Sequence, residues 1–217
     1  MNRLRIRALS TCVAGLTATL WLGWGLIESG AARTQARVKG GGIHAEKLKR
    51  PGLPNLGRVN EMLYRGGQPT DQGYRELQKL AIIVVVNLRN EKELIATERA
   101  QVEGLGMRYA SIPWSGYKDP DNRQVAEFLT TLRGLAGQKV YVHCQRGAER
   151  TGVMLAAWRM AAEAWSPEQA LAEMESFGFR GWWFGHLKRY VKDFPRQMAT
   201  DPSFRLPDAA ASAPPQS

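Results

Sequence analysis

Within ten residues the chain places a thiol, two guanidinium groups and a carboxyl: His143-Cys144-Gln145-Arg146-Gly147-Ala148-Glu149-Arg150-Thr151-Gly152. The run Lys139–His143 before them has the pattern of a short buried strand, and Arg150-Thr151-Gly152 reads as the opening of a helix. A loop wrapped at a helix N-terminus points several backbone N–H groups inward, and the helix dipole adds partial positive charge there. Such a loop binds oxyanions. Gly147 lets it turn tightly and lets backbone approach a ligand. The same field favours the thiolate of Cys144 over the thiol, which makes it a nucleophile near neutrality. Arg150 offers a planar fork that holds two phosphate oxygens at once. The spacing therefore predicts an oxyanion such as phosphate seated on Gln145, Arg146, Gly147, Ala148, Glu149 and Thr151, beside the nucleophile Cys144 and clamped by Arg150. Thr151 is expected to hydrogen-bond the sulfur. His143 is expected to orient the loop through backbone hydrogen bonds rather than to act as a base.

The elements that must position this loop alternate between strand and helix. Ile82–Val86 is a continuous β-branched run, the mark of a strand covered on both faces. Met107–Ile112 is a shorter candidate. Thr70, Asn90 with Glu93, Asp121 with Gln124, and Ser166-Pro167 with Gln169 read as helix starts. Further helices are expected over 151–164 and 182–193, with Trp182, Trp183 and Phe184 as core of the last. Alternation of this kind predicts an α/β fold with a mainly parallel central sheet flanked by helices. Ligands bind beyond the carboxyl ends of such strands, where Cys144 lies.

The loop resembles the defining pattern of the cysteine-dependent protein tyrosine phosphatase superfamily: His-Cys, five residues, Arg, then Ser or Thr. Tyr64-Arg65-Gly66-Gly67-Gln68-Pro69-Thr70 is similar to the Arg-x-Gly-Gln-Pro opening of bacterial and atypical dual-specificity members. Val84-Val85-Val86-Asn87-Leu88-Arg89 is similar to their next strand and its Asn-Leu-Arg end. The resemblance spans roughly 60–195 and implies the cysteine-dependent phosphatase fold, a cysteinyl-phosphate intermediate, no cofactor and no metal. It also implies an upstream acid that protonates the leaving oxygen. No acid directly follows Trp114, so the pattern departs there. Asp119 is the first choice and Glu149 the rival, since some lipid-directed relatives carry an acid just before the loop arginine. Asp121 reads better as a helix cap. Arg146 is the one additional basic residue in the loop, which favours phosphotyrosine or another simple monoester over highly phosphorylated inositols. The alternatives are a phosphoinositide phosphatase with the same mechanism, a rhodanese-like sulfurtransferase, and a phosphate-binding adaptor with weak turnover.

The net charge of +10 does not signal a nucleic-acid partner. Residues 1–50 hold 9 Lys/Arg against 2 Asp/Glu and the remainder 21 against 18, so the body is only mildly basic. With 2 cysteines, Cys12 and Cys144, no disulfide framework is implied. Arg3, Arg5 and Arg7 precede an uncharged run over 8–27, long enough to cross a bilayer at 1.5 Å per helical residue. Residues 1–30 are thus expected to be a single-pass membrane anchor, with a signal segment cleaved after Ser29-Gly30-Ala31 as the alternative. Flanking charges nearly balance, and the order of basic start, apolar core and small residues favours an exported, periplasmic domain. The expected organisation is a linker over 31–50, a phosphatase domain over 51–199 and a disordered tail over 200–217.

Overall fold

The computed structural model describes residues 44–204, so the membrane-anchor and signal expectations for 1–30 lie outside the described residues. A six-stranded sheet forms the centre: β1 (Glu46–Lys47), β2 (Gly57–Arg58), β3 (Leu63–Gly66), β4 (Val84–Asn87), β5 (Arg108–Ser111) and β6 (Val140–His143). Its spatial order is β1-β2-β3-β6-β4-β5. Strands β3, β6, β4 and β5 run parallel, while β1 and β2 join by antiparallel pairing. The sheet is therefore mixed: the expected parallel strands run out to one edge at β5, and the antiparallel β1 and β2 form the other edge.

The β-branched runs alternate faces as strand geometry requires. Val84, Val86, Val140 and Val142 pack on one side with α3 (Asn122–Gly134), α4 (Glu149–Glu163), α5 (Pro167–Ser176) and α6 (Gly185–Thr200). Val85 and Tyr141 face the other side, against α1 (Asp71–Lys79) and α2 (Lys92–Gly104) through Leu77 and Val102. Helix α4 is buried along most of its length, Val153, Met154 and Leu155 being fully enclosed. That helix fixes the catalytic loop at its N-terminus, directly after β6.

Three helix starts form by the expected chemistry. Thr70 accepts from the Gly73 N–H, and both Asp121/Gln124 and Ser166/Gln169 close reciprocal capping boxes. The fourth does not: α2 starts after Glu91 with no side-chain cap, and the Asn90 side-chain oxygen Oδ1 accepts from Arg150 instead. Boundaries at both ends of the domain also differ. Residues 46–47, expected in the linker, form β1, and the neighbouring Ala45 is buried with its N–H donated to Glu173 at 2.8 Å. The chain stays packed past residue 200, where a short 3₁₀ turn, Pro202–Phe204, sets Phe204 edge-on against Phe194. Trp182 and Trp183 are not helix core but exposed residues of the turn before α6.

Candidate active site

Cys144 follows β6 immediately, where the strand's register places His143 beside Gly66 of β3 and Asn87 of β4. The thiol is buried, and the Gly147 N–H points at its sulfur from 3.3 Å. Three donors outside the loop explain why its amides turn inward. The Gln145 carbonyl accepts from the Gln68 N–H at 3.1 Å, Arg146 from Asn55 Nδ2 at 3.2 Å, and Gly147 from Arg65 Nη2 at 3.0 Å. With those carbonyls drawn away from the cavity, the N–H groups are free to face it. Gly147 has φ +72°, and a β-carbon there would lie 2.3 Å from the carbonyl carbon of Gly66. Only glycine fits that turn against that strand end.

Arg150, in the first turn of α4, forms the wall of the same cavity, which encloses about 250 Å³. Its Nη1 donates to the Asn90 side chain and to the Trp114 carbonyl, each at 3.2 Å. Gly116, at φ +74°, lies over the arginine stem, where a β-carbon would come within 3.0 Å of Cγ. Gln145, Arg146 and Glu149 also line the cavity, as do Tyr117 and Phe184. The nucleophile, the guanidinium and the loop expected from sequence are thus brought together.

Other expected roles take a different form. The Thr151 hydroxyl is buried without a hydrogen-bond partner, so the sulfur's donor is the Gly147 N–H rather than Thr151. Asp121 is occupied as the α3 cap. Asp119 is exposed and stands outside the cavity lining. Burial, then the charges of Asp119, Asp121 and Asp201, push the Tyr190 hydroxyl up. Glu149 is nearly buried and lines the cavity, its Oε1 lying 3.4 Å from Arg146 Nη1. That separation makes an ion pair without the alignment of a hydrogen bond.

Behind the loop stand two charged groups that sequence reasoning did not single out. Arg65 is wholly enclosed, stacked 4.0 Å from the Phe177 ring centroid and 3.7 Å from Glu173. Burial pushes it down to about 10, against the pull of Glu173 and of Cys144. Glu98, on α2, accepts from Gln68 Nε2 (2.7 Å), Tyr74 Oη (2.5 Å) and Asn87 Nδ2 (2.5 Å), and lies 3.0 Å from His143 Nε2. Burial favours its neutral form, but His143, Tyr74 and Gln68 outweigh this and hold the carboxyl below its ordinary range. The other ring nitrogen of His143 lies 3.3 Å from the Cys144 carbonyl, which agrees with the orienting role expected for it. The only sequence signals were Arg65 and Gln68 within the Arg-x-Gly-Gln-Pro resemblance; Glu98 carried none.

Comparison with known proteins decides the family. Residues 54–182 match the family described as "DSP-PTPase phosphatase fused to NAD+ Kinase". The chain belongs to this family of cysteine-dependent phosphatases. It is 31% identical over 163 residues to the dual specificity protein phosphatase TpbA of Pseudomonas aeruginosa strain UCBPP-PA14, covering 69% of this chain and 71% of that one. It is 26% identical over 158 residues to human phosphatidylglycerophosphatase and protein-tyrosine phosphatase 1, covering 68% and 78%. Among solved structures, a cysteine-to-serine variant of P. aeruginosa TpbA in complex with phosphotyrosine superposes with a TM-score of 0.60 at 26% identity, covering 76% of this chain and 99% of that one. The chain is accordingly a phosphate monoester hydrolase that works through a cysteinyl-phosphate.

Proposed function

We propose that Cys144 attacks the phosphorus of a simple phosphate monoester while Arg150 and the loop amides hold its non-bridging oxygens. The S–P bond forms as the P–O bond to the leaving group breaks, and water then cleaves the cysteinyl-phosphate to release inorganic phosphate. The observation that carries this assignment is the Gly147 N–H on the Cys144 sulfur at 3.3 Å, in the cavity walled by Arg150. Fixed donors around the nucleophile stabilise charge that develops on the transferring phosphoryl group.

The leaving oxygen needs a proton, and two carboxyls line the cavity, Glu149 and Glu91, while Asp119 does not. The hydrogen bond from Arg89 holds Glu91 below its ordinary range and so ionised, which leaves Glu149 as the donor this geometry offers. A phosphate dianion beside Glu149 favours its protonated, donating form. Asp119 takes the role only if the loop over 115–120, whose Ser115, Gly116 and Tyr117 already line the cavity, closes and carries it inward.

The phosphotyrosine complex of TpbA and the name of the human relative support two substrate classes, phosphotyrosine proteins and phospholipids. Only Arg146 and Arg150 bring positive side chains to the cavity, and Glu149 offsets one of them, which supports a singly phosphorylated group. Turnover of phosphotyrosine peptides, phosphoinositides and inositol phosphates by the purified chain tests this. Preference for a multiply phosphorylated inositol would contradict it. We also propose that residues 8–27 tether an exported domain to the membrane, supported by three arginines ahead of an uncharged run. Retention in the membrane fraction after a carbonate wash is the expected result, and a mature N-terminus near Ala32 would instead show a cleaved signal.

A further inference from the structure

The three most exposed large apolar side chains among the described residues stand near one opening. Tyr117, 82% exposed, lines the catalytic cavity itself. Trp182 and Trp183, 79% and 69% exposed, form the turn that ends at Phe184, another lining residue. Their rings meet edge-on with centroids 5.6 Å apart. The turn that carries them is built to hold them outward. The N–H groups of Trp183 and Phe184 both return to the Arg180 carbonyl at 2.9 Å, and buried Phe179 and Leu187 anchor its two sides. Paired indoles kept in water beside an active site call for a partner surface.

The charges around them say what kind. Lys118, Arg180 and Arg189 are exposed, and Lys188 reaches back over the turn, its Nζ 3.8 Å from where a Gly181 β-carbon would sit. Of the nearby acids, Glu91 is paired with Arg89 and Glu175 with Lys188, which leaves Asp119 and the cap residue Asp121 as acids without an ion pair among the described residues. Indole and phenol rings flanked by Lys and Arg fit the level of lipid headgroups, with ring faces towards acyl chains and cations towards anionic phosphates. An extended peptide would need a sheet edge or a groove. The turn offers neither, since it projects side chains and uses its own N–H groups internally.

We propose that Tyr117, Lys118 and the 180–189 segment dock the catalytic mouth onto an anionic bilayer surface, so that the cavity opens onto phosphorylated headgroups. The docking surface rests on the phosphatase reading only for what the mouth then does. Hydrogen exchange of the full chain tests it, with vesicles of phosphatidylcholine alone and of phosphatidylcholine mixed with phosphatidylglycerol. Because residues 8–27 could hold the chain to either vesicle, protection is read at 115–118 and 180–184 and compared with α2. The expected result is slowed exchange at both rim segments on the anionic vesicles only. In the Trp182→Ser/Trp183→Ser variant that protection is lost. For Arg189→Gln, half-protection should need about fivefold more lipid, the factor for one basic residue near an anionic surface. Unchanged exchange at the rim, equal protection on neutral vesicles, or protection by a phosphotyrosine peptide in place of lipid would each overturn the proposal. Hydrolysis of an aryl phosphate in the same samples reports separately on the phosphatase reading, since it needs no membrane.

Discussion

The guanidinium of Arg65 lies wholly buried beneath the catalytic loop and donates from Nη2 to the Gly147 carbonyl at 3.0 Å. One residue thus links the opening strand of the parallel sheet to the part of the loop whose N–H touches the Cys144 sulfur. It aims the peptide whose N–H faces that sulfur.

Replacing Arg65 with Met should therefore affect stability and binding together. Leaving the buried Gly147 carbonyl unsatisfied should cost about 1–3 kcal/mol, read by urea denaturation. Tungstate, a phosphate mimic, should bind more weakly by calorimetry, because the loop amides lose their aim. Normal stability with normal tungstate binding would contradict this role for Arg65.

Glu98 gives a pH-dependent expectation. Its carboxyl titrates lower in the folded chain than in the unfolded chain, so the network's contribution is complete above the unfolded value, near pH 4.3. The contribution is lost as pH falls through the lower folded value. Glu98→Ala should cost about 1–3 kcal/mol at neutral pH, the penalty for leaving buried donors such as Asn87 and Tyr74 unsatisfied. The gap between wild type and variant should narrow once the pH drops below about 4. A gap that stays constant across that range, in denaturation curves taken at several pH values, would contradict it.

Much of this site was legible because its central residues are contiguous. Cys144, Gly147 and Arg150 belong to one loop, and the local cap chemistry of Thr70, Asp121 and Ser166 depends only on residues three positions away or fewer. What escaped depends on tertiary register. Glu98 lies within Lys92–Gly104, a helix rich in charge, where one more Glu looks like a solvated face until packing turns it under His143. Asn90 reads as a cap until Arg150, 60 residues later, claims its oxygen. The Trp182-Trp183 pair carries a core-like composition, and only the turn at Arg180 puts it into water. The edge pairing of Lys47 with Gly57 involves strands too short to leave a periodic pattern.

The identity of the acid separates two carboxyls by leaving-group chemistry. If Glu149 protonates the departing oxygen, Glu149→Gln should slow an alkyl phosphate far more than an activated aryl phosphate, whose oxide leaves without a proton. General acids of this kind contribute roughly 100-fold or more. Asp119→Asn should then stay near wild type on both substrates. The reverse pattern in steady-state rates would assign the proton to Asp119 and require closure of the 115–120 loop.

The covalent step is tested most directly by trapping it. Acid quench during turnover of an aryl phosphate, followed by digestion and mass spectrometry, should show a phosphoryl group on the Cys144 sulfur. Cys144→Ser should abolish both the adduct and turnover while still binding tungstate in the intact loop. Turnover by Cys144→Ser near the wild-type rate, or an adduct on another residue, would contradict the mechanism.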